Sequence, residues 1–177
     1  MTAPNLFFKQ FNYNRFFIES GSCQGDGIQN AIDSGYKYIY SVELSDYYYA
    51  YCQGRFHAVD NVRLFHGDSV KWLWRMIETI TEPITFWLDG HDSGDKTAKG
   101  EGYKIDGFPV HEELAIIARH PVKNHVILID DISPSPDADW VREIEAVVMQ
   151  INPAYQIRYE RGAQPEGYIL IAEVAYD

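Results

Sequence analysis

Cysteine is scarce in this chain. Cys23 and Cys52 are its only thiols, too few for a disulfide framework and without the Cys or His companions of a structural zinc site. A reducing cytoplasm is the expected compartment. No apolar run approaches the roughly 18 residues of a membrane span. The N-terminus lacks the basic start, apolar core and small-residue cleavage site of a secretory signal, so neither anchor nor export is expected. Basic residues are in the minority, 15 Lys and Arg against 26 Asp and Glu. A net charge of −11 suits neither nucleic acid nor acidic membranes, because affinity for both grows with cationic contacts to phosphate. A small molecule is the expected partner, and the acidic excess is otherwise a solubility feature.

What the chain does have is apolar and aromatic. Hydrophobic residues make up 46% and aromatic residues 15%, which excludes a disordered chain. A length of 177 residues suits one domain, 1–177, large enough to bury a core without staples. Short apolar runs alternate with stretches of helical spacing. Phe16–Ile18, Tyr38–Val42, Val62–Phe65, Ile84–Leu88 and Val126–Ile129 read as strands. Helices are expected between them, among them Tyr47–Phe56 capped by Ser45, Val70–Ile80, Glu112–Arg119 and Trp140–Ile151. This alternation implies a parallel sheet covered on both faces. Gln156–Tyr159 and Tyr168–Val174, joined by a turn with Gly162, Pro165 and Gly167, break it as a closing antiparallel hairpin. Residues 1–15 form an N-terminal extension expected over an edge of the core. Residues 90–108 make a long loop, which reads as a lid over substrate or as a surface loop.

The chemistry gathers where strands end. Phe16 to Gly27 is an apolar run that stops at Glu19 and opens into a loop with Gly21, Gly25 and Gly27. Glycines allow close backbone approach to a ligand, and the helix that follows directs free N–H groups at the loop. A tight strand-to-helix turn that binds nothing is the plainer reading of that segment. Glu43 follows at the distance from which a carboxylate accepts a ribose diol. Asp68-Ser69 suits an adenine amino group, or Asp68 caps the next helix. Asp89 and the Asp130-Asp131 pair close the fourth and fifth strands. His91 is a candidate general base near neutral pH, or an ordinary loop histidine. His66, His111, His120 and His125 show no ligand spacing and read as structural. The tyrosines at 47–51 read as a core or interface face.

The pattern Glu19-x-Gly21-x-Cys23-x-Gly25-x-Gly27, then Glu43, then Gly67-Asp68-Ser69, resembles the class I S-adenosylmethionine-dependent methyltransferases, although Cys23 stands where the family loop usually has glycine. The resemblance implies an α/β Rossmann-like three-layer sandwich, with a mostly parallel seven-stranded sheet finished by an antiparallel hairpin. It places Glu19 and Gly21 at the methionine end of the cofactor, Glu43 at the ribose and Asp68 with Ser69 at the adenine, with Gly25 a further cofactor-binding residue of the loop. The segments Phe86–His91 and Ile127–Asp131 are similar to the macrocin-type metal-dependent O-methyltransferases, whose acidic residues after these strands hold magnesium. That assigns Asp89, Asp130 and Asp131 to Mg2+; Asp89 is also a cofactor-binding candidate and, with His91, a catalytic one. Three convergent carboxylates would repel without a cation. The rival is that Asp131 caps local backbone while the others stay solvated. The implied activity is O-methylation of a small-molecule hydroxyl, on a sugar or other natural product. A non-catalytic binder of the same cofactor and an NAD-dependent oxidoreductase are the alternatives. Macrocin-type enzymes carry more chain before the first strand, so a homo-oligomer lending surface to the site is a further expectation.

Overall fold

The structure is a computed structural model that describes every residue except 1–2, 5, 92–93, 95, 106, 133–138, 163–166 and 176–177. Each apolar run becomes a strand: β1 (Phe16–Ser20), β2 (Tyr38–Glu43), β3 (Val62–His66), β4 (Ile84–Leu88) and β5 (Val126–Ile132), then β6 (Tyr155–Arg161) and β7 (Tyr168–Val174). The helices between them are α1 (Asp26–Asp33), α2 (Asp46–Phe56), α3 (Ser69–Ile77), α4 (Val110–Ile117) and α5 (Asp139–Ile151). All seven strands join one sheet in the order β3-β2-β1-β4-β5-β7-β6. Neighbours from β3 to β5 pair in parallel, and β7 runs antiparallel to both β5 and β6. The order reverses between β1 and β4. That is the point at which an open α/β sheet opens a crevice for ligands beyond its strand ends.

Alternation along β1 sends Phe17 to one face of the sheet and Ile18 to the other, which builds two cores. Ile18, Phe86 and Ile127 pack under Leu73 of α3, Leu114 of α4 and Ile144 of α5. Phe17, Ile39 and Leu128 pack under Ile28 of α1 and Cys52 and Phe56 of α2. The N-terminal extension joins this second layer. A 3₁₀ helix, Phe7–Phe11, buries Phe8 with its ring centre 4.7 Å from Phe17 and 5.0 Å from Trp87. It therefore covers the sheet's face rather than an edge, because three phenylalanines in five residues bury more area against a sheet than along its rim.

Two boundaries depart from the sequence reading by three residues, the others by two or fewer. Helix α3 ends at Ile77, a turn short of Ile80, and His120 accounts for the difference by drawing the Ile77 and Ile80 carbonyls to its Nε2, at 3.2 and 2.9 Å. Strand β5 runs on through Asp130 and Asp131 to Ile132, with a register shift against β7 between Ile129 and Ile132. Asp131 takes the left-handed φ of 55° at this bulge.

His120 and His125 are wholly buried and form a relay. The Ile84 amide donates to His125 Nδ1 at 3.1 Å, so His125 Nε2 must carry the proton it directs at His120 Nδ1, 3.1 Å away. Burial first, then the neighbouring imidazole, lowers the His125 pKa to about 3. Pro165 of the hairpin turn and Asp92 and Asp95 of the long loop lie outside the described residues.

Candidate active site at the strand ends

The glycine loop begins where β1 and β4 touch. Gly21 donates its amide to the Val42 carbonyl at 2.9 Å, and Asp89 donates its own to Ser20 at 3.1 Å. At φ 83°, a Cβ on Gly21 would stand 2.3 Å from the Asp89 carbonyl oxygen, so only glycine fits. Gly25 plays a packing part: its amide bonds to Ser22, and a Cβ there would strike Phe56. Gly25 is not among the residues lining the adjoining cavity, whereas Gly21, Glu43, Ser69 and Gly90 are.

Glu43 ends β2 with its carboxylate pinned by two backbone amides. Cys23 N–H donates to Oε2 and Ser45 N–H to Oε1, both at 2.8 Å. A carboxylate held this way has lone pairs left over for a pair of hydroxyls. Glu19 lies deeper. It is fully buried, Oε2 accepts from Ser41 Oγ at 2.5 Å, and Ser22 extends the chain at 2.6 Å from Ser41. Burial pushes its pKa up to about 8, against the pull of the Ser41 hydrogen bond. Oε1 has no hydrogen-bond partner among the described residues, and because Ser41 donates to Oε2, it is the oxygen that carries the proton of the neutral acid.

Asp68 does what its alternative reading expects: Oδ1 accepts from Val70 N–H at 2.9 Å and caps α3. The same oxygen accepts the Tyr103 hydroxyl at 2.9 Å. Ser69 is nearly buried beside it.

Beyond β4 the structure gathers Asp89, His91 and Asp131. His91 Nδ1 lies 3.3 Å from Asp89 Oδ1 and its Nε2 lies 3.0 Å from Asp131 Oδ2. One donor atom from each residue falls within 4.8 Å of the other two. Hydrogen bonds to Asp131 and then Asp89 raise His91 to about 10, and His91 in turn lowers Asp131. Held so, the imidazole keeps its proton at neutral pH and becomes a base only once that proton is displaced. Asp130 is not one of these three: its Oδ1 is the atom a Cβ on Gly162 would approach to 3.3 Å. Burial, then the charges of Asp89 and Asp131, push Asp130 up to about 8. Among the described residues, the three whose donor atoms converge are thus Asp89, Asp131 and His91. His91, two residues after Asp89, reads in the sequence as a candidate base, and nothing there pairs it with Asp131. Tyr103 and the amides of Cys23 and Ser45 carried no signal.

No protein-family model and no curated protein sequence matches this chain. Solved structures do. An O-methyltransferase from Bacillus cereus in complex with SAH superposes with a TM-score of 0.65 at 13% identity, covering 95% of this chain and 78% of that one. Human methyltransferase-like protein 13, also with SAH, gives 0.62 at 13% over 98% and 77%. The O-methyltransferase TomG from Streptomyces achromogenes, involved in tomaymycin synthesis and solved with SAM, gives 0.61 at 11% over 96% and 78%. The chain has the class I methyltransferase fold. In that fold's terms, the glycine loop, Glu43 and Asp68-Ser69 flank one cleft at the β1/β4 reversal, and the Asp89, His91 and Asp131 cluster borders it on the β5 side.

Proposed function

We propose that the protein is an S-adenosylmethionine-dependent methyltransferase acting on a hydroxyl of a small molecule. The observation that carries this reading is the Glu43 carboxylate, clamped by the Cys23 and Ser45 amides at the mouth of a loop whose Gly21 admits no side chain. Glu43 would take the ribose diol, the unpartnered Glu19 Oε1 would meet the methionine end, and Asp68 with Ser69 would border the adenine. When bound, S-adenosylmethionine supplies a methyl group made electrophilic by its positively charged sulfur. This chain's residues have the tasks of orientation, water exclusion and removal of the acceptor's proton.

The donor set of Asp89, His91 and Asp131 fits a divalent cation. Two carboxylates and an imidazole favour a borderline ion such as Mn2+ over Mg2+, which prefers oxygen donors. A cation there would lower the pKa of a bound hydroxyl and replace the proton on His91. The net charge of −11 weighs against a nucleic-acid acceptor.

Titration calorimetry with S-adenosylmethionine, S-adenosylhomocysteine and NAD tests the reading. Binding of the first two is expected, with Glu43→Gln weakening both at least ten-fold, the worth of hydrogen bonds to a charged acceptor. Binding of NAD alone would overturn it. Cofactor binding with no turnover over a broad panel of hydroxylated acceptors, with and without divalent metal, would favour a non-catalytic binder.

A further inference from the structure

Part of the long loop after β4 roofs the cleft. Thr97, Ala98, Gly100 and Tyr103 face Glu43 and Ser69 across a cavity of about 40 Å³. Pockets that enclose an organic ligand measure roughly 300 Å³ or more, so a nucleoside enters only if the roof lifts. Among the hydrogen bonds between described residues, two tie it to the floor of the cleft. Tyr103 donates its hydroxyl to Asp68 Oδ1 at 2.9 Å, and Ser45 Oγ donates to the Lys96 carbonyl at 2.7 Å. The Lys96 ammonium also lies 4.0 Å over the Tyr47 ring. Both hydrogen bonds land at the nucleoside end of the cleft, since the Ser45 amide is one of the two that pin Glu43. Burial and the nearby Asp68 carboxylate raise the Tyr103 phenol, so it keeps the proton it donates.

We propose that Tyr103 is an internal occupant of the nucleobase end of this site: its hydroxyl latches the 96–103 loop onto Asp68, and the adenosyl ligand enters by displacing it. This rests on the S-adenosylmethionine reading above. The exchange trades one hydrogen bond to Asp68 for another, and the apparent affinity falls by the fraction of molecules whose loop is open. Freeing the latch therefore tightens binding. Gly100 offers a second way to free it, because a Cβ there would lie 2.1 Å from the Tyr103 hydroxyl oxygen, and a side-chain tip yields before the backbone does.

The test compares the full chain with Tyr103→Phe and Gly100→Ala, using S-adenosylhomocysteine as ligand. Tyr103→Phe is expected to speed association and lower Kd about ten-fold, the worth of one hydrogen bond to a charged group. Hydrogen exchange at the amides of 96–103 is expected to quicken in the ligand-free variant, and Gly100→Ala to move both readouts the same way. Unchanged binding and exchange in both variants would overturn the latch while leaving the methyl-donor site standing. Faster exchange with weaker binding would also overturn it, by making Tyr103 a contact of the bound ligand. A wild-type chain that binds no S-adenosylhomocysteine would sink the latch and the proposed function together.

Discussion

Asp131 illustrates how a single φ angle changes a site. Its value of 55° lies in the region that L-residues other than Asn and Asp seldom adopt, and it presents the carboxylate to His91 while Asp130 stays under Gly162. Asp130-Asp131 in the sequence promises two carboxylates at one strand end, but nothing in the residue names reveals the bulge that separates them. The consequence is measurable. Asp131→Asn and His91→Ala should each weaken Mn2+ binding at least ten-fold in calorimetry, and Asp130→Asn should weaken it less. Equal losses from all three variants would restore the all-carboxylate site. Gly21 is a second residue with one solution. Gly21→Ala would place a methyl 2.3 Å from the Asp89 carbonyl oxygen, and a loss of several kcal/mol in denaturant stability is expected from combined strain and overpacking, on the order of the sum of those two mechanisms.

At the scale of elements, the strand ends serve two purposes at once. Asp68 caps α3 through Val70 and also receives Tyr103, so the helix start and the loop roof share one oxygen. Asn caps a helix as well as Asp does, whereas Ala loses about 1 kcal/mol. Asp68→Asn keeps an acceptor for both Val70 and Tyr103 and should therefore cost less chemical-denaturation stability than Asp68→Ala, which loses the cap, about 1 kcal/mol, and the Tyr103 hydrogen bond as well. The His125 and His120 relay is the corresponding device at the opposite end of β4, tying its first residue, Ile84, to the carbonyls that end α3. These joints were legible only in part. Ser45 was readable as an N-cap, and its side chain does accept from Tyr48. Its second bond, to Lys96, spans 51 residues, and no local pattern encodes a contact of that separation.

For the molecule as a whole, buried ionisable groups set a stability profile with two falling limbs. Folded His125 titrates at about 3 and an unfolded histidine at 6.5. The unfolded chain thus binds a proton that the native state refuses, and stability falls as pH drops from 6.5 towards 3. Glu19 and Glu113 work the other way. Burial raises them to about 8 and about 7, from an ordinary 4.5, so the native state holds protons that the unfolded chain releases, and stability falls as pH rises from 4.5 to 8. Thermal midpoints followed by circular dichroism should peak at about pH 5 to 6, between the two limbs. Glu19→Gln should flatten the alkaline limb; a midpoint that keeps climbing through pH 8 would contradict this assignment. The sequence by itself determined the strands and their order of alternation with helices, because burial in a two-faced sheet demands unbroken apolar runs. It also determined which carboxylates close those strands, since the residue after each run sits at the sheet's carboxyl edge. Only the tertiary structure decided which of them meet. Glu19 sinks beneath the loop, His91 stands between Asp89 and Asp131, Phe7 to Phe11 cover a face, and Tyr103 closes over Asp68. Each depends on where backbone far away in the chain is held, and local residue pattern carries no record of that.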